Sequence, residues 1–437
     1  MLKNKINIIF LINDMFINNF EILYNKMLKN DIFEVKVVSC ESKSTDYKKF
    51  ISSKNICKFL KSNKINCIDG YNPFSKKYID LNQFNPDYIF VSNPYDIYRP
   101  NEYSSEKLSK IAKLCDIEYG TSILLDNGSN MNILENSYYS NCYMHFISNN
   151  YKNYISKEFD KSKIKDKFIP VGCLKVEKFL DDNYKSKNWN NIFENNESLR
   201  IVWKPRWTLS DLNLFFLWLE KFIELSSKMK IQLLILEHPL LKSNLEKKQS
   251  LKLYENIIKK CDKDIIKTID NYDFLDYVLE SDVLICEPTS LVAEYSITNN
   301  PILLQGNYEE LNGIGKKIIK KKNIVNDFDD IYNILKKCKH KNIKVYSNIY
   351  FYKNKYKLNF SDYLIKLLIK DTEMNPKANY FKKLLDIHYD NLYEIRKILS
   401  QGYYKENIIV SQEKIIKDID NLLKMWSDEI MSLKSKE

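Results

Sequence analysis

The chain has 437 residues, 44% hydrophobic and 29% charged, with a formal net charge of +11. That length supports two or three domains with substantial cores, and no apolar run approaches the ~18 residues of a transmembrane helix. Nine scattered cysteines, with no CxxC and no His-Cys cluster, argue for a reducing cytosol with neither a disulfide framework nor zinc. The charge permits anionic partners: phosphates, nucleic acid or an acidic membrane face. Nucleic acid ranks last, since no helix-turn-helix, RNP or zinc-finger pattern accompanies the charge. Heavy use of Lys, Asn, Ile and Tyr with only 8 glycines resembles drift in an A/T-rich genome, so single Lys and Asn residues carry little weight.

The opening MLKNKINIIFLIND has an apolar stretch interrupted by Asn and Asp, with no small-residue cleavage site after it. Residues 6–12 therefore read as a buried strand rather than a signal peptide. A helix is expected over 18–28, strands over 35–38 and 67–68, and a helix over 51–62 between them. Residues 88–91 form a strand ending at Ser92-Asn93-Pro94. Residues 104–114 read as helical, 116–119 as short and extended, and 143–148 as another strand. This alternation predicts a doubly wound parallel sheet.

Residues 168–171 lead into Gly172, and the polar stretch 181–198 is the best linker candidate. A second α/β pattern follows: a strand at 201–203, an amphipathic helix at 211–226 and a strand at 231–236 closed by Glu237-His238-Pro239. Helices are expected at 246–260 and 273–280. Then SDVLICEPTSLVAEYSITNNPILLQ, residues 281–305, reads as strand, polar turn, helix and strand. Thr289 and Ser290 sit where the helix begins, where hydroxyls, free N–H groups and the helix dipole favour an anion. The plain alternative is an ordinary Thr/Ser cap. The densest basic run, residues 316–322, reads as a solvated helix face.

Beyond Pro376, apolar residues at helical spacing suggest an appended α-hairpin. It would pack on the core or a partner, with membrane contact the weaker role. The expected domains are 1–180, 199–372 and 376–437: two Rossmann-like halves facing a cleft, then a helical extension.

Four blocks carry a resemblance: KINIIFLINDMFINNFEILYNKMLKNDIFEVKVV; KKYIDLNQFNPDYIFVSNPYDIY with the following IEYGT; IVWKPRWT; and the run from LEHPL to SDVLICEPTSLVAEYSITNNPILL. Together they resemble the CDP-glycerol glycerophosphotransferase family of teichoic-acid and surface-polysaccharide enzymes, which adopt the GT-B fold. The likeness spans roughly residues 5 to 305, in order and with moderate specificity. It implies that Thr289 and Ser290 hold the donor phosphates and that Glu294, one turn further along the same helix face, reaches the ribose or glycerol end. His238 would sit at the sheet edge as an imidazolium, neutralising charge on the leaving CMP. The basic residue that many members carry shortly before this His is missing, since Leu236-Glu237 stand there. Lys204 and Arg206 are candidates to replace its charge.

The family's Trp-His-Gly motif, whose His is the proposed general base, has Tyr119 in place of that His. A Tyr near pKa ~10 is a poor base, so Glu118 or Asp126 would serve instead, or Tyr119 only positions the acceptor. Gly120 permits close approach of a ligand, and Asp96, beside Tyr95, falls at the predicted cleft edge.

The resemblance implies a transferase moving glycerol phosphate, or a related polyol phosphate, from a CDP-activated donor to a glycan or lipid-linked hydroxyl, with release of CMP. No cofactor is expected, and no metal: the Asp-x-Asp spacing of Asp418 and Asp420 falls in the tail. The expected location is cytoplasmic, peripheral on the inner membrane face. The rivals are a GT-B glycosyltransferase using a nucleotide sugar for capsule or lipopolysaccharide, and a non-enzymatic nucleotide-binding scaffold whose base was lost at Tyr119.

Overall fold

The computed structural model describes residues 5–15, 17, 20–43, 50–124, 137–150, 163–181, 184, 189–194, 197–209, 211–238, 240–269, 274–340 and 346–376, with scattered positions between 416 and 424. Asp126 and most of the tail, including the expected hairpin and Asp418, lie outside the described residues. Residues 1–365 form one compact unit and 366–437 another. Among the described residues, no helix is long and apolar enough to cross a membrane.

The first half opens on β1 (Ile6–Ile12), an apolar strand buried along nearly its whole length, as a strand covered on both faces must be. It is followed by β2 (Phe33–Ser39), β3 (Cys67–Asp69), β4 (Tyr88–Val91), β5 (Lys113–Ile117), β6 (Met144–Ile147) and β7 (Phe168–Pro170). These run parallel in the order β3-β2-β1-β4-β5-β6-β7. The chain reverses direction across the sheet between β1 and β4, as in doubly wound sheets. The helix expected over 104–114 is shorter than that: it spans Ser105–Ser109, and Leu114 belongs to β5. Ala112 and Leu114 are fully buried between neighbouring strands, a demand that overrides their helical propensity.

The second half repeats the plan with β8 (Leu199–Lys204), β9 (Ile231–Leu236), β10 (Ile266–Ile269), β11 (Val283–Cys286) and β12 (Ile302–Leu304), in the order β10-β9-β8-β11-β12. Strand β10 was not foreseen. Helix α1 (Leu212–Lys228) crosses from β8 to β9; Asp211 caps it by accepting from the Leu214 N–H at 2.9 Å. Its buried stripe of Phe215, Trp218, Leu219, Phe222 and Leu225 follows helical periodicity. Trp203 of β8 packs its ring 5.6 Å from Phe215 and 5.0 Å from Phe222. Each such buried aromatic contributes about 1.5–3 kcal/mol through burial. The single helix expected over 246–260 is two helices, Leu241–Lys247 and Leu251–Lys260, broken where Gln249 takes φ +57.

The result is a GT-B architecture of two Rossmann-like lobes. The lobes are tied by side chains as well as by the linker. The Asn312 side chain donates to the carbonyls of Ser122 (2.9 Å) and Leu124 (3.2 Å), and its backbone N–H to that of Ile123 (2.9 Å). Tyr184 donates to Asp276 at 2.6 Å, and Lys178 pairs with the same carboxylate at 3.3 Å.

Candidate functional site

In a parallel sheet the polar groups that follow each strand gather at the carboxyl edge, and ligands bind where the strand order reverses. In the second lobe that point lies between β8 and β11. Lys204, the last residue of β8, is in register with Cys286, the last of β11. Glu287, Pro288, Thr289 and Ser290 leave β11, and His238 follows β9 by two residues. Lys204, His238, Thr289 and Ser290 therefore share one edge, as the sequence predicts.

From the first lobe the matching edge contributes Glu118 after β5, Ser148 after β6 and Lys175 after β7. Glu118 and Lys175 line one small recess together with Gly120, Thr121 and Ser148. The Glu118 carboxylate accepts from the Ser148 N–H at 2.7 Å and from its hydroxyl, which also bonds Thr121. Burial raises Glu118 above the usual carboxylate range, against the Ser148 bonds and the charge of Lys175.

The two edges meet. Glu294, on the helix α2 (Leu291–Tyr295), is 3% exposed and pairs with Lys175 across the lobes, Nζ to Oε1 at 3.0 Å. It is not a solvated helix carboxylate. Burial alone would lower Lys175, but Glu294, Tyr119 and Cys173 together outweigh it and hold the ammonium above its ordinary value. The same Nζ lies 5.1 Å from the Tyr119 ring centroid. A Cβ on Gly120 would stand 2.6 Å from the Ser290 hydroxyl, so glycine alone permits this approach. Ser290 does not use its side chain to cap α2; it is already helical at φ −58, ψ −26, which speaks against the plain alternative of an ordinary cap. Thr289 makes only a long contact, 3.5 Å from the Leu291 N–H.

Lys175 was invisible in the sequence, one lysine among many. A turn at Gly172, with φ +106, delivers it. A Cβ on Gly172 would collide with the Phe360 ring at 2.1 Å. The short helix Leu174–Glu177 then starts directly at the edge. Glu177 anchors that helix by accepting from the Ser361 N–H (2.8 Å) and hydroxyl (2.6 Å).

The charge state expected for His238 is corrected. The Leu240 N–H donates to His238 Nδ1 at 3.2 Å, which makes Nδ1 an acceptor and places the ring proton on Nε2. Burial and the neighbouring Lys204 push its pKa down to about 3, so the side chain is a neutral Nε2–H donor rather than an imidazolium. The Trp207 ring stacks on it at 5.5 Å. Burial also lowers Lys204, to about 8, with Cys286 and Glu294 only partly opposing. Positive charge at this edge thus resides on Lys204 and Lys175. Glu237 does not disturb it: its buried carboxylate accepts from Tyr254 at 2.6 Å and pairs with Lys242 at 2.8 Å.

Arg206 is exposed, and its backbone N–H donates to Glu287 at 3.1 Å. Tyr119 is 47% exposed, yet desolvation in the crevice raises its phenol above the ordinary value, the direction that disfavours a base. Asp96 is committed elsewhere, contrary to expectation. It pairs with the buried Arg99, accepts from the Ser105 N–H at 2.9 Å and bonds the Ser105 hydroxyl, as a cap and charge partner within the first lobe.

No family model matches the chain, and no curated protein matches it. Solved structures do share the fold. A UDP-GlcNAc 2-epimerase from Methanocaldococcus jannaschii superimposes with a TM-score of 0.55 at 11% identity, covering 83% of this chain and 99% of the other. The S. aureus MnaA–UDP structure gives 0.52 at 13% identity, covering 85% and 97%. The wall teichoic acid polymerase TagF (H444N with CDPG) gives 0.45 at 13% identity, covering 84% and 89%, a similarity too slight to carry weight. At these identities the likeness defines the two-lobed fold.

Proposed function

We propose that the chain is a transferase whose crevice binds a nucleoside-diphosphate-linked donor, CDP-glycerol or a related CDP-polyol. It moves the glycerol phosphate to a hydroxyl of a glycan or lipid-linked acceptor. The observation that carries this reading is the convergence of Lys204, His238, Ser290, Glu294 and Lys175 where the two carboxyl edges meet. A diphosphate needs cations and directed donors in a partly desolvated site. Lys204, the Nε2–H of His238 and the Ser290 hydroxyl supply them, with Thr289 and Arg206 at the rim. Glu294, once Lys175 turns to the incoming phosphate, is left to accept from a ribose or glycerol hydroxyl.

The acceptor hydroxyl attacks the β-phosphorus, an oxygen–phosphorus bond forms, the anhydride bond breaks and CMP leaves. The acceptor's proton passes to a base at the first-lobe edge, where Glu118 is the carboxylate in the same recess as Lys175. Catalysis rests on positioning and charge stabilisation. The resident residues suffice for this, so metal independence is part of the reading. Work on a lipid-linked acceptor puts the protein in the cytoplasm against the inner membrane face.

One observation favours a second donor: a structure of similar fold is named for its complex with UDP. A nucleotide sugar in a glycosyltransferase reaction is therefore the alternative. Product analysis separates the two. Incubation with CDP-glycerol, UDP-sugars and GDP-sugars should release CMP from the first alone. UDP release from a sugar nucleotide supports the alternative, and no release from any donor supports a scaffold.

A further inference from the structure

Outside the crevice, three buried side chains of different chemistry converge in the first lobe. Asp116 of β5 and His145 of β6 are in register on adjacent strands, and Cys142 lies three residues before His145. They are 4%, 2% and 1% exposed, and a carboxylate oxygen, an imidazole nitrogen and the thiol sulfur all lie within 4.8 Å of one another. His145 Nδ1 is hydrogen-bonded to the Asp116 carboxylate, while Nε2 points to the Tyr139 carbonyl at 3.5 Å. A backbone carbonyl on the far nitrogen is the contact that orients a metal-bound imidazole and fixes its tautomer. The Tyr139 and Phe168 rings pack against the imidazole, with centroids at 4.9 and 4.6 Å. The buried Tyr138 ring lies 5.9 Å from the imidazole, centroid to centroid.

We propose that Asp116, Cys142 and His145 Nδ1 form a closed structural site for a thiophilic divalent cation such as zinc, with the Tyr138 hydroxyl as the candidate fourth ligand. A thiolate, a carboxylate and a neutral imidazole around a dication give a neutral cluster, which a dry interior tolerates. An imidazole–carboxylate pair alone would need neither the sulfur nor the phenol. Zinc bonds of about 2.0–2.3 Å set ligand separations near 3.5 Å, so the directly bonded His145–Asp116 pair must open to admit the ion between them and the Cys142 sulfur. Burial of all three side chains makes the site structural rather than catalytic. It would brace β5 and β6 beneath the edge that carries Glu118 and Ser148, whatever reaction the crevice performs. It runs against the expectation of no zinc: a Cys-x-x-His spacing is present in the sequence, but its carboxylate partner lies on another strand.

The test uses tag-free full-length protein purified without chelator, with metal content measured by mass spectrometry. About one zinc per chain is expected, retained through gel filtration and lost in Cys142→Ser and Asp116→Asn. After replacement by cobalt, a thiolate-to-cobalt charge-transfer band should appear in the wild type and be absent in Cys142→Ser. Stripped wild-type protein should melt at higher temperature once zinc, but not magnesium, is restored. The proposal is overturned if wild-type protein holds no metal and zinc titration neither binds nor shifts the melt. It is also overturned if Cys142→Ser keeps its metal and its cobalt spectrum. Should Cys142→Ser fail to fold, the wild-type cobalt spectrum decides alone.

Discussion

Lys175 and Glu294 meet across the interlobe crevice as a buried ion pair 3.0 Å long, with side chains 7% and 4% exposed. Its partners come from different lobes, so the pair both holds the crevice together and places two charges where a donor would bind. Removing one partner leaves an uncompensated buried charge, which costs about 3–5 kcal/mol, whereas replacing both with apolar groups of similar size is near neutral. Lys175→Met and Glu294→Leu are each expected to lower the midpoint in urea clearly. The double variant should recover most of the stability while remaining inactive. A double variant as unstable as the singles would show that packing, not charge, dominates here.

Gly120→Ala drives a methyl group into the Ser290 hydroxyl, since its Cβ would lie 2.6 Å away. Either the Gly120 turn or the Ser290 turn must retreat. The kcat/KM of the proposed transfer should fall at least about tenfold, equivalent to about 1.4 kcal/mol of transition-state stabilisation. The thermal melt, in contrast, should move little. Unchanged kinetics would mean that the turn is not part of the site.

Lys204 and His238 give a pH signature. Lys204 is lowered to about 8 from its ordinary 10.5, so the unfolded chain binds more protons than the native one between those values and stability rises with pH there. Below pH 8 the buried ammonium imposes its full penalty. Lys204→Met should therefore melt higher than wild type at pH 7, with the advantage shrinking as pH rises past 8 toward 10.5. His238 is lowered to about 3 from 6.5, so its contribution is present above 6.5 and is lost as pH falls toward 3. NMR titration should find its ring neutral at pH 5, and Lys204→Met should raise its pKa. A ring that already titrates near 6.5 in wild type would refute the assignment.

Asp96→Ala separates scaffold from site. It strips the buried Arg99 of its carboxylate, although Arg99 keeps bonds to the Asn93 and Tyr103 carbonyls. A loss of about 1–3 kcal/mol of stability is expected, with KM for the donor unchanged. A specific rise in KM would return Asp96 to the site.

Much of this was readable from the chain because local pattern and global fold agree. The stretch from Val283 to Leu304 forms strand, helix and strand as its apolar runs and the Asn299-Asn300-Pro301 stop demand; Asn299 takes the left-handed turn at φ 55. What was hidden depends on tertiary partners. Nothing in LKVEKFL marks Lys175; its role comes from the Gly172 turn and from Glu294, 119 positions away. The charge of His238 is set by burial and a neighbouring lysine, and its tautomer by one backbone N–H. Asp96 read as a cleft residue because Arg99 and Ser105, which engage it, come later in the chain.

The central claim is that the second-lobe edge, joined by Lys175, grips a nucleoside diphosphate. Calorimetric titration of CDP-glycerol into wild type, Lys204→Met and Glu294→Gln tests it most directly. The account predicts one site in wild type and at least about tenfold weaker binding in each variant. No binding to wild type, or equal affinity in all three proteins, would contradict it.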